Sequence, residues 1–76
     1  PTSCLVAYVE GQGIEYIWTQ RALERLGFGL TEDTHAAIFT IEISQSAWRV
    51  EHLGISQHFE SIEVLIEWIQ SVNWSE

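Results

Sequence analysis

Lysine and methionine are absent from the 76 residues, and cysteine and proline occur once each. No apolar run approaches the roughly 20 residues that a membrane-spanning helix needs. Each absence removes a class of protein. Three Arg, no Lys and eleven Asp plus Glu give a formal net charge of -8, which repels phosphate and anionic lipid over about 8 Å at physiological salt. Direct binding to nucleic acid or to a membrane surface is therefore not expected. The lone Cys4 cannot form an internal disulfide or supply a multi-cysteine zinc site, which fits a reducing compartment. The opening residues, Pro1-Thr2-Ser3-Cys4, lack the basic start and apolar stretch of a secretory signal, so a cytoplasmic location is expected.

What remains is rich in core material. Hydrophobic residues make up 46% of the chain, with four Trp, three Phe and two Tyr. That suffices for one hydrophobic core and for no more than one, so residues 1–76 are expected to form a single domain without disulfide or metal support.

Residues 4–9, Cys-Leu-Val-Ala-Tyr-Val, read as a strand. Gly11-Gln12 suits a type II′ hairpin turn, whose first central residue needs positive φ. A hairpin there would pair Val9 with Ile14, Ala7 with Tyr16 and Leu5 with Trp18. The rival reading, one helix over 14–26, fails a test at 100° steps. Ile14, Ile17 and Trp18 would share a face with Arg21, Glu24 and Arg25, while Ala22, Leu23 and Leu26 would lie opposite. The spacing instead predicts a strand over 14–18 and a short helix from a Thr19 cap, ended by Gly27 as its left-handed C′ residue.

Residues 29–35 carry Glu32 and Asp33 and read as a loop. Phe39, Ile41 and Ile43 then alternate with Thr40, Glu42 and Ser44, the pattern of a half-buried strand. A two-residue turn at Gln45-Ser46 sets Ile43 against Trp48, Ile41 against Val50, Phe39 against His52 and Glu42 against Arg49. From a Ser61 cap, Ile62, Leu65, Ile66, Ile69 and Val72 fall within about 120° of one another on a helical wheel. The expected fold is α+β: a four-stranded, mainly antiparallel sheet of two hairpins, with a short and a longer helix on one face in the order ββαββα.

Catalytic and metal signatures are weak. His52 and His58 stand six residues apart across a glycine, which is no zinc spacing, and Cys4 has no ligand-spaced partner. The ordinary reading makes His52 a core-edge residue packed on Phe39, Cys4 a small strand residue, and His35 and His58 exposed loop residues. Nothing singles out one pair among the eleven acids for acid–base work. Gly11-Gln12-Gly13 has neither the third Gly nor the Lys of a phosphate loop, and it reads as a turn. No cofactor, metal or catalytic residue is assigned.

The surface carries the functional expectation. Glu32, Asp33, Glu60, Glu63 and Glu67 would form an acidic patch if the fold gathers them, imitating a phosphate backbone and steering a basic partner surface towards the chain. Charge of this kind sets encounter rate more than affinity, so anchors are also needed. Trp68, Val64 and Trp74 are the candidates. In size, acidity and lack of catalytic signature the chain resembles the small phage-encoded inhibitors of nucleic-acid enzymes, anti-CRISPR proteins among them. That resemblance is compositional. It implies a non-enzymatic viral inhibitor or adaptor that binds a protein with a basic surface, such as a nucleic-acid-handling enzyme. The alternative is an interaction or oligomerisation subunit that uses exposed Trp residues or a sheet edge, with self-association possible. A third class, a small enzyme using a His and a carboxylate, has no motif behind it.

Overall fold

The alternation in residues 39–52 fixes the centre of the sheet. In the computed structural model, which describes residues 5–74, the elements run β1 (Val6–Glu10), α1 (Ile14–Arg25), β2 (Gly29–Leu30), β3 (Phe39–Ser44), β4 (Ala47–His52), β5 (Ile55–Phe59) and α2 (Ile62–Ser71). The fold is α+β, as expected. Gln45 and Ser46 both take positive φ, 52° and 61°, the signature of a two-residue type I′ turn. That turn sets the expected register: Ile43 faces Trp48, Ile41 faces Val50 and Glu42 faces Arg49.

The sheet itself departs from the four antiparallel strands expected. It has five strands in the order β2-β1-β3-β4-β5 and is mixed. β1 runs parallel to β2 and β3, whereas β4 is antiparallel to β3 and β5. The element order is therefore βαββββα. β5 extends the meander through a second two-residue turn at Leu53 and Gly54, where φ is 55° and 78°.

The hairpin after β1 does not form, and residues 14–18 are helix rather than strand. Gly11 serves close approach instead of a turn, because a Cβ there would meet the Ile43 Cβ at 2.8 Å. Gly13, at φ 84°, caps the start of α1 in a conformation that costs other residues energy. Thr19 is likewise no cap. It lies inside α1 with 1% exposure, and its Oγ1 donates to the Glu15 carbonyl at 2.7 Å. The same oxygen accepts from the Trp48 indole N–H at 2.8 Å, which ties the helix to the sheet.

The end of α1 is as expected. Gly27 takes φ 95°, Phe28 N–H donates to the Leu23 carbonyl at 2.9 Å and Gly27 N–H to the Glu24 carbonyl at 3.1 Å. These two bonds are the Schellman pattern. Ser61 caps α2 by accepting from Val64 N–H at 3.2 Å, and Leu65 and Ile69 face inward, as the wheel indicated.

One face of the sheet packs against the helices. Ala7, Phe39, Ile41, Trp48 and Val50 supply it, and Leu23, Phe28, Leu65 and Ile69 complete the core. Full burial of each large side chain contributes about 1.5–3 kcal/mol. Trp68 and Trp74 close the end of this core against Phe39 and His52, with ring centroids 5.1–5.9 Å apart. The opposite face presents Tyr8, Glu10, Thr40, Glu42, Arg49, Glu51 and His58, none of them buried. Among the described residues, no helix is long and apolar enough to cross a membrane.

Candidate functional site

Helix α1 has two unlike faces because Thr19, Ala22 and Leu23 turn inward. At 100° per residue this places Ile14, Ile17, Trp18, Arg21 and Arg25 on the outer side. Ile14 is 51% exposed, Ile17 41% and Trp18 47%. Trp18, Ala22, Ile62 and Ile66 line a groove of ≈ 350 Å³ between α1 and α2, with Arg21, Arg25 and Glu63 at its rim. Two of the three arginines of the chain therefore flank one apolar stripe. Among the described residues neither Arg21 nor Arg25 forms a salt bridge, whereas Arg49 is paired with Glu42.

The uncovered face of the sheet has the opposite character. Glu10, Glu42 and Glu51 line one depression together with Tyr8, Thr34, Thr40 and Arg49. Glu32 joins Tyr8 and Glu10 from the side. Tyr8 Oη donates to Glu10 Oε1 at 3.4 Å. The Glu10 charge, followed by desolvation, that hydrogen bond, and the charges of Glu42 and Glu32, raises the Tyr8 hydroxyl above its ordinary pKa of 10.0.

The carboxylates expected to form one patch are distributed over separate elements. Glu32 and Asp33 lie in the exposed loop after β2, where Asp33 Oδ1 accepts from His35 N–H at 3.0 Å. Glu60 precedes α2, Glu63 lines the α1–α2 groove, and Glu67 is exposed on α2. Among the described residues, no salt bridge joins the first two to the last three. Of the expected anchors, Val64 is 47% exposed. Trp68 and Trp74 are half-buried, and Trp74 Nε1 donates to the Ile69 carbonyl at 2.8 Å.

His52 packs on Trp68 and Trp74, with centroids 5.7 and 5.1 Å away. His35 and His58 are exposed. Cys4 lies outside the described residues. Among the described residues, no group of three or more His, Cys, Asp or Glu is placed to hold a metal ion. Gly11-Gln12-Gly13 does open a helix, contrary to the turn reading. Its surroundings are nevertheless hostile to phosphate, since Glu10, Glu15 and Glu42 line the same hollow and like charge repels the anion.

Each surface is legible in the sequence only in part. A helix over 14–26 places Ile14, Ile17 and Trp18 on one face with Arg21, Glu24 and Arg25, and α1 has that arrangement. Alternation in 39–52 put Glu42, Arg49 and Glu51 on the outer face of their strands, but not beside Glu10, because the β1–β3 pairing has no local signature.

Residues 5–70 match one family model, described as the iron ABC transporter C-terminal domain. No curated protein and no solved structure matches the chain.

Proposed function

The chain belongs to the iron ABC transporter C-terminal domain family, and we propose that it acts there as a non-catalytic docking domain that binds another protein through the outer face of α1. One observation carries this reading: Ile14, Ile17 and Trp18 stand 41–51% exposed on a single helix face. Scattered exposed apolar residues need no explanation, but a contiguous stripe with a Trp and two Arg has the composition of a binding hot spot. The partner this face fits presents apolar side chains to Trp18 and carboxylates to Arg21 and Arg25. Iron enters only as the cargo in the family description. The domain works at the cytoplasmic side, needs no cofactor, and contacts neither nucleic acid nor lipid.

Titration calorimetry against the other purified subunits of the transporter tests the proposal. Trp18→Ala should weaken binding by about 30- to 100-fold, the size of a hot-spot loss. Val64→Ala, on the far flank of α2, should change it little. Equal affinity for the Trp18→Ala and unmodified chains would remove α1 as the docking face.

A second reading rests on the uncovered sheet face. Glu10, Glu32, Glu42 and Glu51 against one Arg suit a partner with a basic surface, as an inhibitor or adaptor of a nucleic-acid-handling enzyme would need. Under this reading Glu10→Gln and Glu51→Gln would slow association at low salt, and Trp18→Ala would not.

A further inference from the structure

Helix α1 carries one outward stripe with a regular spacing. Ile14, Trp18, Arg21 and Arg25 recur at intervals of four, three and four, and at 100° per residue they fall within about 60° of one another. The stripe has two unlike halves, apolar towards the start of the helix and cationic towards its end. Arg25 sits in the last turn, where the partial negative charge of the helix end favours a cation. Beside Trp18, Ile62 and Ile66 of α2 complete the apolar wall of the groove, and Glu63 closes its far rim.

Charge selects what this groove takes. The chain has formal charge -8, yet here two guanidinium groups stand one helical turn apart, about 6 Å along the axis. Among the described residues neither forms a salt bridge. They attract carboxylates, and Glu63 repels carboxylates from the α2 side, so an acidic row lies over α1. The same net charge disfavours a second copy of this chain as the source. Geometry selects the form. An extended segment draws its affinity from main-chain bonds to an open strand edge, whereas the walls here are two helices whose backbone groups bond internally. A helical segment brings its own backbone bonds and repeats its side chains at the spacing of the stripe.

We infer that the groove takes an amphipathic helix of the partner, antiparallel to α1, with two carboxylates four residues apart at its amino-terminal end and apolar residues three and seven positions after the second. The carboxylates meet Arg25 and then Arg21, and the apolar side chains cover Trp18 and then Ile14. From Arg25 to Ile14 the contact spans about 16 Å, or three turns. The antiparallel sense puts the carboxylates at the partner helix's own amino end, where negative charge is favoured. The inference rests on α1 being the docking face, and adds the form, charge pattern and direction of what docks there.

The probe is a stapled helical peptide of roughly 16 residues, stapled because a free helix of that length is marginal in water. It carries Glu, Glu, Leu and Leu at the stated spacings in an Ala and Gln host. One companion has Gln for both Glu, and another has the sequence reversed. In a nitrogen-15 NMR titration of the full chain, the Glu peptide should move the Trp18 indole N–H and the Arg21 and Arg25 signals most. It should bind about fivefold more tightly than the Gln peptide, the size of two exposed ion pairs, and the advantage should vanish at about 0.5 M salt. Arg21→Gln combined with Arg25→Gln, both at exposed positions, should abolish the same advantage. The reversed peptide should bind more weakly than the Glu peptide. Equal affinity for the Glu peptide and either companion would overturn the inference, as would no binding or shifts centred away from Trp18. The calorimetry above separates the two readings. Subunit binding that depends on Trp18, beside peptides without preference, retires the acidic helix alone, whereas subunit binding indifferent to Trp18→Ala retires the docking face and this inference with it.

Discussion

The orientation of α1 depends on one buried hydrogen bond, and Thr19→Val tests how strongly. Valine has nearly the shape of threonine, so packing around a residue that is 1% exposed should survive. The substitution removes the acceptor of the Trp48 indole N–H, now bonded at 2.8 Å. Trp48 is 3% exposed, so water cannot replace the lost partner. Leaving a buried donor unsatisfied costs about 1–3 kcal/mol. The Glu15 carbonyl, which also accepts from Thr19 Oγ1, keeps its helical N–H partner and adds little. The expected loss is therefore about 2 kcal/mol. At about 4–8 °C per kcal/mol for a domain of this size, the melting midpoint should fall by about 8–16 °C. Thr19→Ser keeps the hydroxyl and loses one methyl, at about 1 kcal/mol. Thermal and urea unfolding followed by circular dichroism measures both. A cycle with Trp48→Phe should return a coupling of about 2 kcal/mol between the two positions. If Thr19→Val unfolds within about 0.5 kcal/mol of the unmodified chain while Thr19→Ser costs more, the hydroxyl contributes nothing and this account of the helix fails.

Two further outcomes follow from local geometry. Tyr8 should titrate above the ordinary tyrosine value of 10.0, because Glu10, Glu42 and Glu32 disfavour the phenolate. A raised folded-state pKa means that stability is unchanged below pH about 10 and declines as pH rises through the folded-state value. Phenolate absorbance should show Glu10→Gln and added salt both moving Tyr8 back towards 10.0. Ser61→Ala removes the acceptor of Val64 N–H and should cost about 1 kcal/mol in urea unfolding. A smaller loss would mean that water caps α2 as well as the serine does.

The legible parts of the fold are those where neighbouring residues decide the outcome. In the β3–β4 hairpin, alternation, turn length and the Glu42–Arg49 pair agree, and the register follows. In α2 the Ser61 cap and the apolar stripe agree. β1 was legible as a strand, yet its partners were not, because the parallel pairing of Ala7 with Phe39 joins residues far apart in the chain with no turn to announce it. β5 was overlooked because Gln57 stands on the inner face between Ile55 and Phe59 and interrupts their alternation. The acidic hollow around Tyr8 was hidden for the same non-local reason, since it draws on β1, β3, β4 and the loop after β2.

The misreading of α1 has a different cause, and it bears on function. The 100° spacing places Ile14, Ile17 and Trp18 with Arg21, Glu24 and Arg25, opposite Ala22, Leu23 and Leu26. The strand reading of 14–18 rests on the premise that a helix turns its large apolar side chains inward. That premise describes a helix whose only contacts are within its own domain. Here Thr19, Ala22 and Leu23 are the buried residues of α1, while Trp18 lies beside Ile62 and Ile66 of α2 and stays 47% exposed. A large apolar side chain left half exposed in this way is what the proposed docking role of α1 would require. The Thr19–Trp48 bond reinforces the point, because locking Thr19 inward holds the neighbouring Trp18 outward, about 100° round the helix. That bond stabilises the fold by satisfying the buried Trp48 indole N–H, and the proposed docking role of α1 would draw on the same bond to hold one indole and two guanidinium groups in a fixed orientation.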